Sequence, residues 1–103
     1  MARVINIKQE ANGFDFVGSR SIGEKVRIKI KEAIDNNESV TLDFGGVTNI
    51  TQSFADEMIG ILIRAFGIGY IRKKILLVNE TQGIKDTLNF VIKYSKQRSQ
   101  KSA

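Results

Sequence analysis

The chain begins with two short runs of β-forming residues, at positions 4–7 and 14–17. Between them stands Asn12-Gly13, a dipeptide typical of the tight turns that join antiparallel strands. Positions 1–17 are therefore predicted to form an N-terminal β-hairpin.

Three later segments repeat their apolar residues every three or four positions, which is the spacing of one helix face. The first is predicted to begin near Ser21, which has capping-box spacing to Glu24, and the last is capped by Thr81. The apolar residues that define these helices are Ile22, Val26, Ile30, Ala33 and Ile34, then Phe54, Ala55, Met58, Ile61, Leu62, Ala65 and Phe66, and finally Ile84, Leu88, Val91 and Ile92.

Strand-like runs at 39–44 and 74–78 separate the three helices, so the predicted order is β-β-α-β-α-β-α. Strands joined by single helices imply right-handed crossovers and parallel pairing, while the hairpin adds an antiparallel pair. The prediction is a small α/β domain with a mixed sheet.

The absence of cysteine and histidine excludes several kinds of chemistry. Disulfides, thiolate nucleophiles, imidazole proton shuttles and Cys or His metal sites cannot form. The remaining acids are isolated, and no phosphate-binding loop accompanies them. We therefore expect a protein that is not an enzyme and that uses no cofactor or metal.

Most of the net charge of +5 lies at the C-terminal end. Positions 1–92 hold 12 Lys and Arg against 11 Asp and Glu, whereas positions 93–103 hold four basic residues and no acid. We predict one domain over 1–92 and a basic, flexible tail over 93–103. In an alternative interpretation the tail binds nucleic acid through Lys93, Lys96, Arg98 and Lys101.

The sequence contains no run of ~18 apolar residues, the length that a membrane-spanning helix needs. Its N-terminus also lacks the apolar core of a signal peptide. We expect a cytoplasmic protein without a membrane partner.

The most distinctive segment runs from Thr41 to Gly60. It joins a strand that ends in Asp-Phe, a Gly-Val turn and a helix that opens with Ser-Phe-Ala-Asp-Glu, at Asp43-Phe44, Gly46-Val47 and Ser53-Phe54-Ala55-Asp56-Glu57. These residues resemble a STAS-like family of unassigned function, and the element order over about 20–92 agrees with that family. The resemblance implies a STAS-like fold.

The same segment is distantly similar to the bacterial anti-sigma factor antagonists, in which a kinase of the histidine-kinase-like ATPase type phosphorylates a serine and thereby switches partners. Asp43 matches the strand-end Asp of those proteins. In the following turn Thr51 stands in place of their Asp, Gln52 in place of the phosphoserine and Ser53 in place of the next residue. The resemblance implies a protein partner of this class, with Ser53 and Thr51 as candidate phosphorylation sites.

A polar stripe follows the predicted second helix. At 100° per residue, the residues that share this arc are Ser53, Asp56, Glu57, Gly60 and Arg64. One interpretation is an ordinary solvated face on which Ser53 caps the helix. The other is a partner-binding surface that includes Gln52, since Gly60 costs about 1 kcal/mol relative to alanine in a helix and a close partner backbone would explain it.

The remaining candidates are structural or aromatic. Asp43 is predicted to accept hydrogen bonds from the turn that contains Gly45 and Gly46. Phe90 and Tyr94 fall away from the apolar face of the last helix and are either packed elsewhere or exposed for contact with a partner or a second copy.

The sequence thus predicts a regulatory protein-interaction module of the STAS type that binds a signalling partner through residues 51–64. A nucleic-acid-associated protein is one alternative. Another is an inhibitor from a phage or mobile element that blocks a host protein with the same helix face.

Overall fold

The computed structural model describes the backbone of residues 2–100 and the side chains of residues 2–98. The strands, in chain order, are β1 (Ala2–Asn6), β2 (Phe16–Val17), β3 (Ser39–Asp43), β4 (Asn49–Ile50) and β5 (Ile75–Val78). The helices are α1 (Ile7–Glu10), α2 (Arg20–Asp35), α3 (Gln52–Ala55), a π turn (Asp56–Gly60), α4 (Ile61–Phe66), α5 (Ile68–Lys74) and α6 (Gln82–Gln100). We call α3, the π turn and α4 together the central helix, residues 52–66.

Every strand pairing in the described part of the chain is parallel. One sheet has the order β1-β3-β5 and the other pairs β2 with β4. In the larger sheet Ile5 and Leu42 are partners and both are buried, whereas Val4, one residue earlier in β1, is exposed. Because successive side chains of a strand point to opposite faces, one face of this sheet covers the core and the other lies open.

The predicted hairpin and its antiparallel pair are wrong. After β1 the chain turns into α1, where the Asn6 side chain accepts a hydrogen bond from the Gln9 amide at 2.9 Å. Asn12 and Gly13 have φ angles of 60° and 87° and end α1, with the Gly13 amide donating to the Lys8 carbonyl. Asn-Gly suits this left-handed helix ending as well as it suits a hairpin turn, so the dipeptide alone did not decide between them.

The small α/β domain is confirmed, but the order of its elements differs from the prediction because α1, β4 and α5 were missed. The first long helix ends at Asp35, and its cap lies two residues earlier than predicted. Its cap is Ser19, whose hydroxyl accepts hydrogen bonds from the amides of Ser21 and Ile22. Thr81 caps α6 through the Ile84 amide, as predicted.

The central helix contains one widened turn. The Ile61 amide donates to the carbonyl of Asp56, five residues earlier, while the flanking Ala55 and Ile61 keep ordinary helical angles. Such π turns are rare and are often found at functional sites. Here the turn carries Asp56 and Glu57.

The segment predicted as a flexible tail is helical as far as Gln100, because α6 continues through it. Ser95, within this segment, is fully buried. Lys101 lies outside the described residues. Within the residues that the structure describes, no helix is both long and apolar enough to cross a membrane.

Candidate functional site

An open cleft of about 430 Å³ lies between the N-terminal half of the central helix and the C-terminal half of α6. We call it the α3–α6 cleft. Its lining combines three arginines, an acid, two small polar side chains and an aromatic pair: Arg20, Arg64, Arg98, Asp56, Gln52, Ser53, Phe90 and Tyr94, with Val91 beneath them.

Asp56 and Arg64 form the floor of this cleft. The Arg64 guanidinium donates to Asp56 Oδ1 at 2.7 Å and to the hydroxyl of the buried Ser95 at 3.0 Å. Arg20 approaches the other carboxylate oxygen of Asp56 at 3.7 Å. Arg64 is therefore fixed by two partners, and the charge of Asp56 is neutralised in place.

Glu57, the next residue, points away from the cleft toward α2. Arg27 donates to Glu57 Oε2 at 2.8 Å and to the Glu57 backbone carbonyl at 2.6 Å, and Arg20 donates to Oε1 at 3.0 Å. These contacts, the Arg27 hydrogen bond first, hold the pKa of Glu57 below its usual range. Both oxygens of Glu57 are therefore engaged inside the fold, and its role in partner binding stays a prediction.

Gly60 is buried against α6, contrary to the prediction that it lies on an accessible face. A methyl group there would come within 2.5 Å of Asp56 Oδ1, 3.0 Å of Ser95 Oγ and 3.1 Å of Val91 Cγ1. Its small size permits the close approach of α6 and leaves room for the Asp56–Arg64 pair. No partner backbone is needed to explain this glycine.

Thr51, and not Ser53, caps the central helix. Its hydroxyl accepts from the Phe54 amide at 3.1 Å and donates to the Gly18 carbonyl at 3.0 Å. Ser53 lines the cleft, and its hydroxyl makes no hydrogen bond within the described chain. Of the two candidate phosphorylation sites, only Ser53 has an unengaged hydroxyl.

The wall contributed by α6 is aromatic and basic. Phe90 is 55% exposed and Tyr94 is 46% exposed. Arg98 donates to the Tyr94 hydroxyl at 2.8 Å and lies 5.5 Å from the centre of the Tyr94 ring. Residues 90, 94 and 98 are spaced by four, so they form one strip along the helix.

Of the four basic residues proposed for nucleic-acid binding, the three that the structure describes do not share one surface. Lys93 and Lys96 are exposed but lie about 140° and 160° around α6 from Arg98, at 100° per residue. Arg98 alone lines the cleft. The structure thus separates Arg98 from the lysines, and Lys101 is outside the described residues.

Asp43, Gly45 and Gly46 form a turn at the end of β3, away from the cleft. Asp43 Oδ1 accepts hydrogen bonds from the Asn79 side chain at 2.9 Å and from the Gly45 amide at 2.8 Å, and these keep the pKa of Asp43 below its ordinary value. Gly46 has a φ of 81°, which favours glycine. The arrangement is consistent with a structural role.

Sequence reasoning missed Arg20 and did not join Phe90, Tyr94 and Arg98 to the polar stripe. The four-residue spacing was a usable signal for the α6 strip. No signal in the sequence showed that α6 would pack beside Ser53, because that placement depends on the tertiary contact through Gly60 and Ser95.

The model of one family, the STAS-like domain of unknown function (DUF4325), matches residues 22–85. The chain belongs to this family. The match covers α2, β3, the central helix and β5 of the STAS-like domain and ends within the first turn of α6. It confirms the resemblance drawn from the Asp43 to Gly60 segment. No curated protein and no solved structure gives a significant match to the chain.

The family match and the cleft overlap only in part. Gln52, Ser53, Asp56 and Arg64 lie within the matched residues, whereas the aromatic and basic strip of α6 lies beyond them. In this STAS-like domain the cleft is therefore built from a family segment and a segment that the family model does not cover.

Proposed function

We propose that this STAS-like domain is a non-enzymatic, cytoplasmic regulatory module that binds a protein partner at the mouth of the α3–α6 cleft. The observation that carries the proposal is the exposed pair Phe90 and Tyr94 beside Gln52 and Ser53. Exposed aromatics at the edge of a concave, charged surface are typical of contact surfaces.

The contact surface that we propose is narrower than the one predicted from the sequence. Gln52 and Ser53 stay within it, Asp56 and Arg64 form its floor, and Phe90 and Tyr94 are added. Glu57 and Gly60 support it from inside the fold. The similarity to anti-sigma factor antagonists favours a histidine-kinase-like ATPase or another signalling protein as the partner.

Ser53 is the candidate for a phosphorylation switch within this proposal. A phosphate there would add a charge of about −1.5 to −2 at the edge of the cleft. It would compete with Asp56 for Arg20 and Arg64 and would fill the space that the partner needs. Phosphorylation is therefore expected to release the partner.

Affinity capture from the native host tests the proposal. The full chain is immobilised as wild type, Gln52→Glu, Phe90→Ala and Lys96→Glu, and bound proteins are quantified by mass spectrometry. We expect a partner that Gln52→Glu and Phe90→Ala each reduce about tenfold or more and that Lys96→Glu retains. If no protein depends on Gln52 and Phe90, the proposed function is wrong.

A further inference from the structure

We propose that the α3–α6 cleft receives an acidic segment of the partner, with a carboxylate on Arg98 and a neighbouring apolar side chain on Phe90 and Tyr94. This inference rests on the proposed function and specifies the chemistry of the partner. The argument comes from the charges in the cleft, the order of the α6 strip and the size of the cavity.

The charges of the cleft are unequal. Three arginines line it against one carboxylate, that of Asp56. Arg64 is paired with Asp56, and Arg20 is shared between Asp56 and Glu57. Arg98 has no ion pair with any acid of residues 2–98, so it is the guanidinium free to bind an anion. A carboxylate forms two parallel hydrogen bonds with such a group.

Two members of the strip on α6, Tyr94 and Arg98, contact each other directly. Tyr94 holds Arg98 through its hydroxyl and its ring, which leaves other N–H groups of the guanidinium available. Phe90, one turn away, offers an exposed apolar ring. An acidic residue followed by an apolar one would meet Arg98 and then this ring, and little conformational freedom would be lost on the protein side.

The cavity volume suits side chains of a peptide. About 430 Å³ lies within the range of sites for small ligands, and it accommodates one or two side chains rather than a folded element. Gln52 and Phe90 at the edge of the cleft are both exposed, so an extended segment can reach it from solvent.

Nucleic acid fits the same features less well. Lys93 and Lys96, which would have to extend a phosphate track, lie on other sides of α6. A single unpaired guanidinium neutralises few phosphates, whereas nonspecific binding to duplexes depends on several.

The test is a selection of random peptides of about 12 residues, displayed on phage, against the immobilised full chain. We expect enrichment of peptides with Asp or Glu next to an apolar residue. A selection that yields no binders, or binders without acidic residues, overturns the inference.

Selected peptides are then measured by fluorescence anisotropy against charge variants of the full chain. Arg98→Glu is expected to weaken binding at least tenfold, and Arg98→Lys severalfold, because lysine keeps the charge but not the paired donors. Lys96→Glu makes the same change in net charge on another side of α6 and should leave the affinity within about twofold. Equal losses from Arg98→Glu and Lys96→Glu would also overturn the inference.

A single-stranded RNA probe in the same assay separates the nucleic-acid alternative. RNA binding that Lys96→Glu and Arg98→Glu both weaken, without selected acidic peptides, would replace the inference with that alternative. If the captured partner depends on Phe90 but not on Arg98, the proposed function stands and the acidic segment is wrong.

Discussion

Each side of the central helix carries a carboxylate that pairs with arginine, but one side is closely packed and the other is open to solvent. On the α2 side, Glu57 is enclosed by Arg27 and Arg20, and a Cβ atom at Gly23 would lie only 2.9 Å from the Phe54 carbonyl oxygen. On the α6 side, Asp56 is bound by Arg64, but the surface beyond the pair opens into the cleft. Two adjacent carboxylates thus belong to a closed contact and to an open one.

The difference teaches how to separate stabilising charges from binding charges. Glu57 is satisfied by two arginines and by close packing, so its removal should change stability. Asp56 sets the charge of a surface that a ligand can reach, so its removal should change affinity. The helical register of the π turn directs one residue to each side.

The closed side should tolerate added volume least. Gly23→Ala would place a methyl group 2.9 Å from the Phe54 carbonyl oxygen, a backbone atom that cannot easily move. We expect a loss of about 2 kcal/mol in the free energy of unfolding, measured by urea denaturation. Gly69→Ala, whose methyl group would meet nothing within 4 Å, is the matched control and should be neutral or slightly stabilising. If the two variants are equally stable, Gly23 is not closely packed against the central helix.

The hydroxyls at the start of the central helix give the next largest difference. Thr51→Ala removes the helix cap and the bond to the Gly18 carbonyl, and should cost about 1 kcal/mol. Ser53→Ala removes a hydroxyl that faces the cleft and should stay within about 0.5 kcal/mol. Thermal and urea unfolding measure the stability of both variants. If Ser53→Ala loses more stability than Thr51→Ala, Ser53 and not Thr51 is the helix cap.

The acid dependence of stability should report the Glu57 contact. Because the folded pKa of Glu57 is lowered, its stabilising contribution is present above about pH 4.5, the ordinary value, and is lost as the pH falls through the lowered pKa. Glu57→Gln should therefore lower the free energy of unfolding by about 1 kcal/mol near neutral pH. Below about pH 4.5 the difference from wild type should shrink, because the wild-type carboxylate also loses its charge.

Urea denaturation between pH 3 and 7 measures this profile. Glu80→Gln is the control, since Glu80 forms no ion pair with the described side chains. A deficit for Glu57→Gln that stays constant with pH would show that the arginine contacts do not stabilise the ionised carboxylate.

Local patterns in the sequence predicted the elements with long, regular periodicity. The apolar repeats from Ile22 to Ile34 and from Ile84 to Val91 gave α2 and most of α6, and the Asp43 to Gly60 segment gave the family. The patterns gave wrong predictions where the same residues are compatible with two different local structures. Asn12-Gly13 suits a helix end and a hairpin turn equally, and only the parallel pairing of β2 with β4 decides between them.

The candidate site could be predicted only in part for a related reason. Helical spacing placed Ser53, Asp56 and Arg64 on one side, and the structure keeps them together around the cleft. The same spacing does not distinguish a helix face that contacts solvent from one that contacts α6. It therefore predicts a partner backbone beside Gly60, where the structure has α6. Arg20 comes from a distant helix, and its approach to Asp56 depends on how α2 packs.

The smallest change in stability should accompany a clear change in binding on the open side. Asp56→Asn keeps an oxygen that can accept from Arg64, so we expect a loss of about 0.5 kcal/mol or less in urea denaturation. Removing the negative charge frees Arg64 and Arg20 for an acidic ligand, and selected acidic peptides should bind about threefold more tightly. Glu57→Gln, the same change on the closed side, frees only Arg20 among the arginines of the cleft and should raise that affinity less than Asp56→Asn does. If Asp56→Asn weakens peptide binding instead, Asp56 is a contact for a donor on the ligand, and the cleft does not select acidic segments.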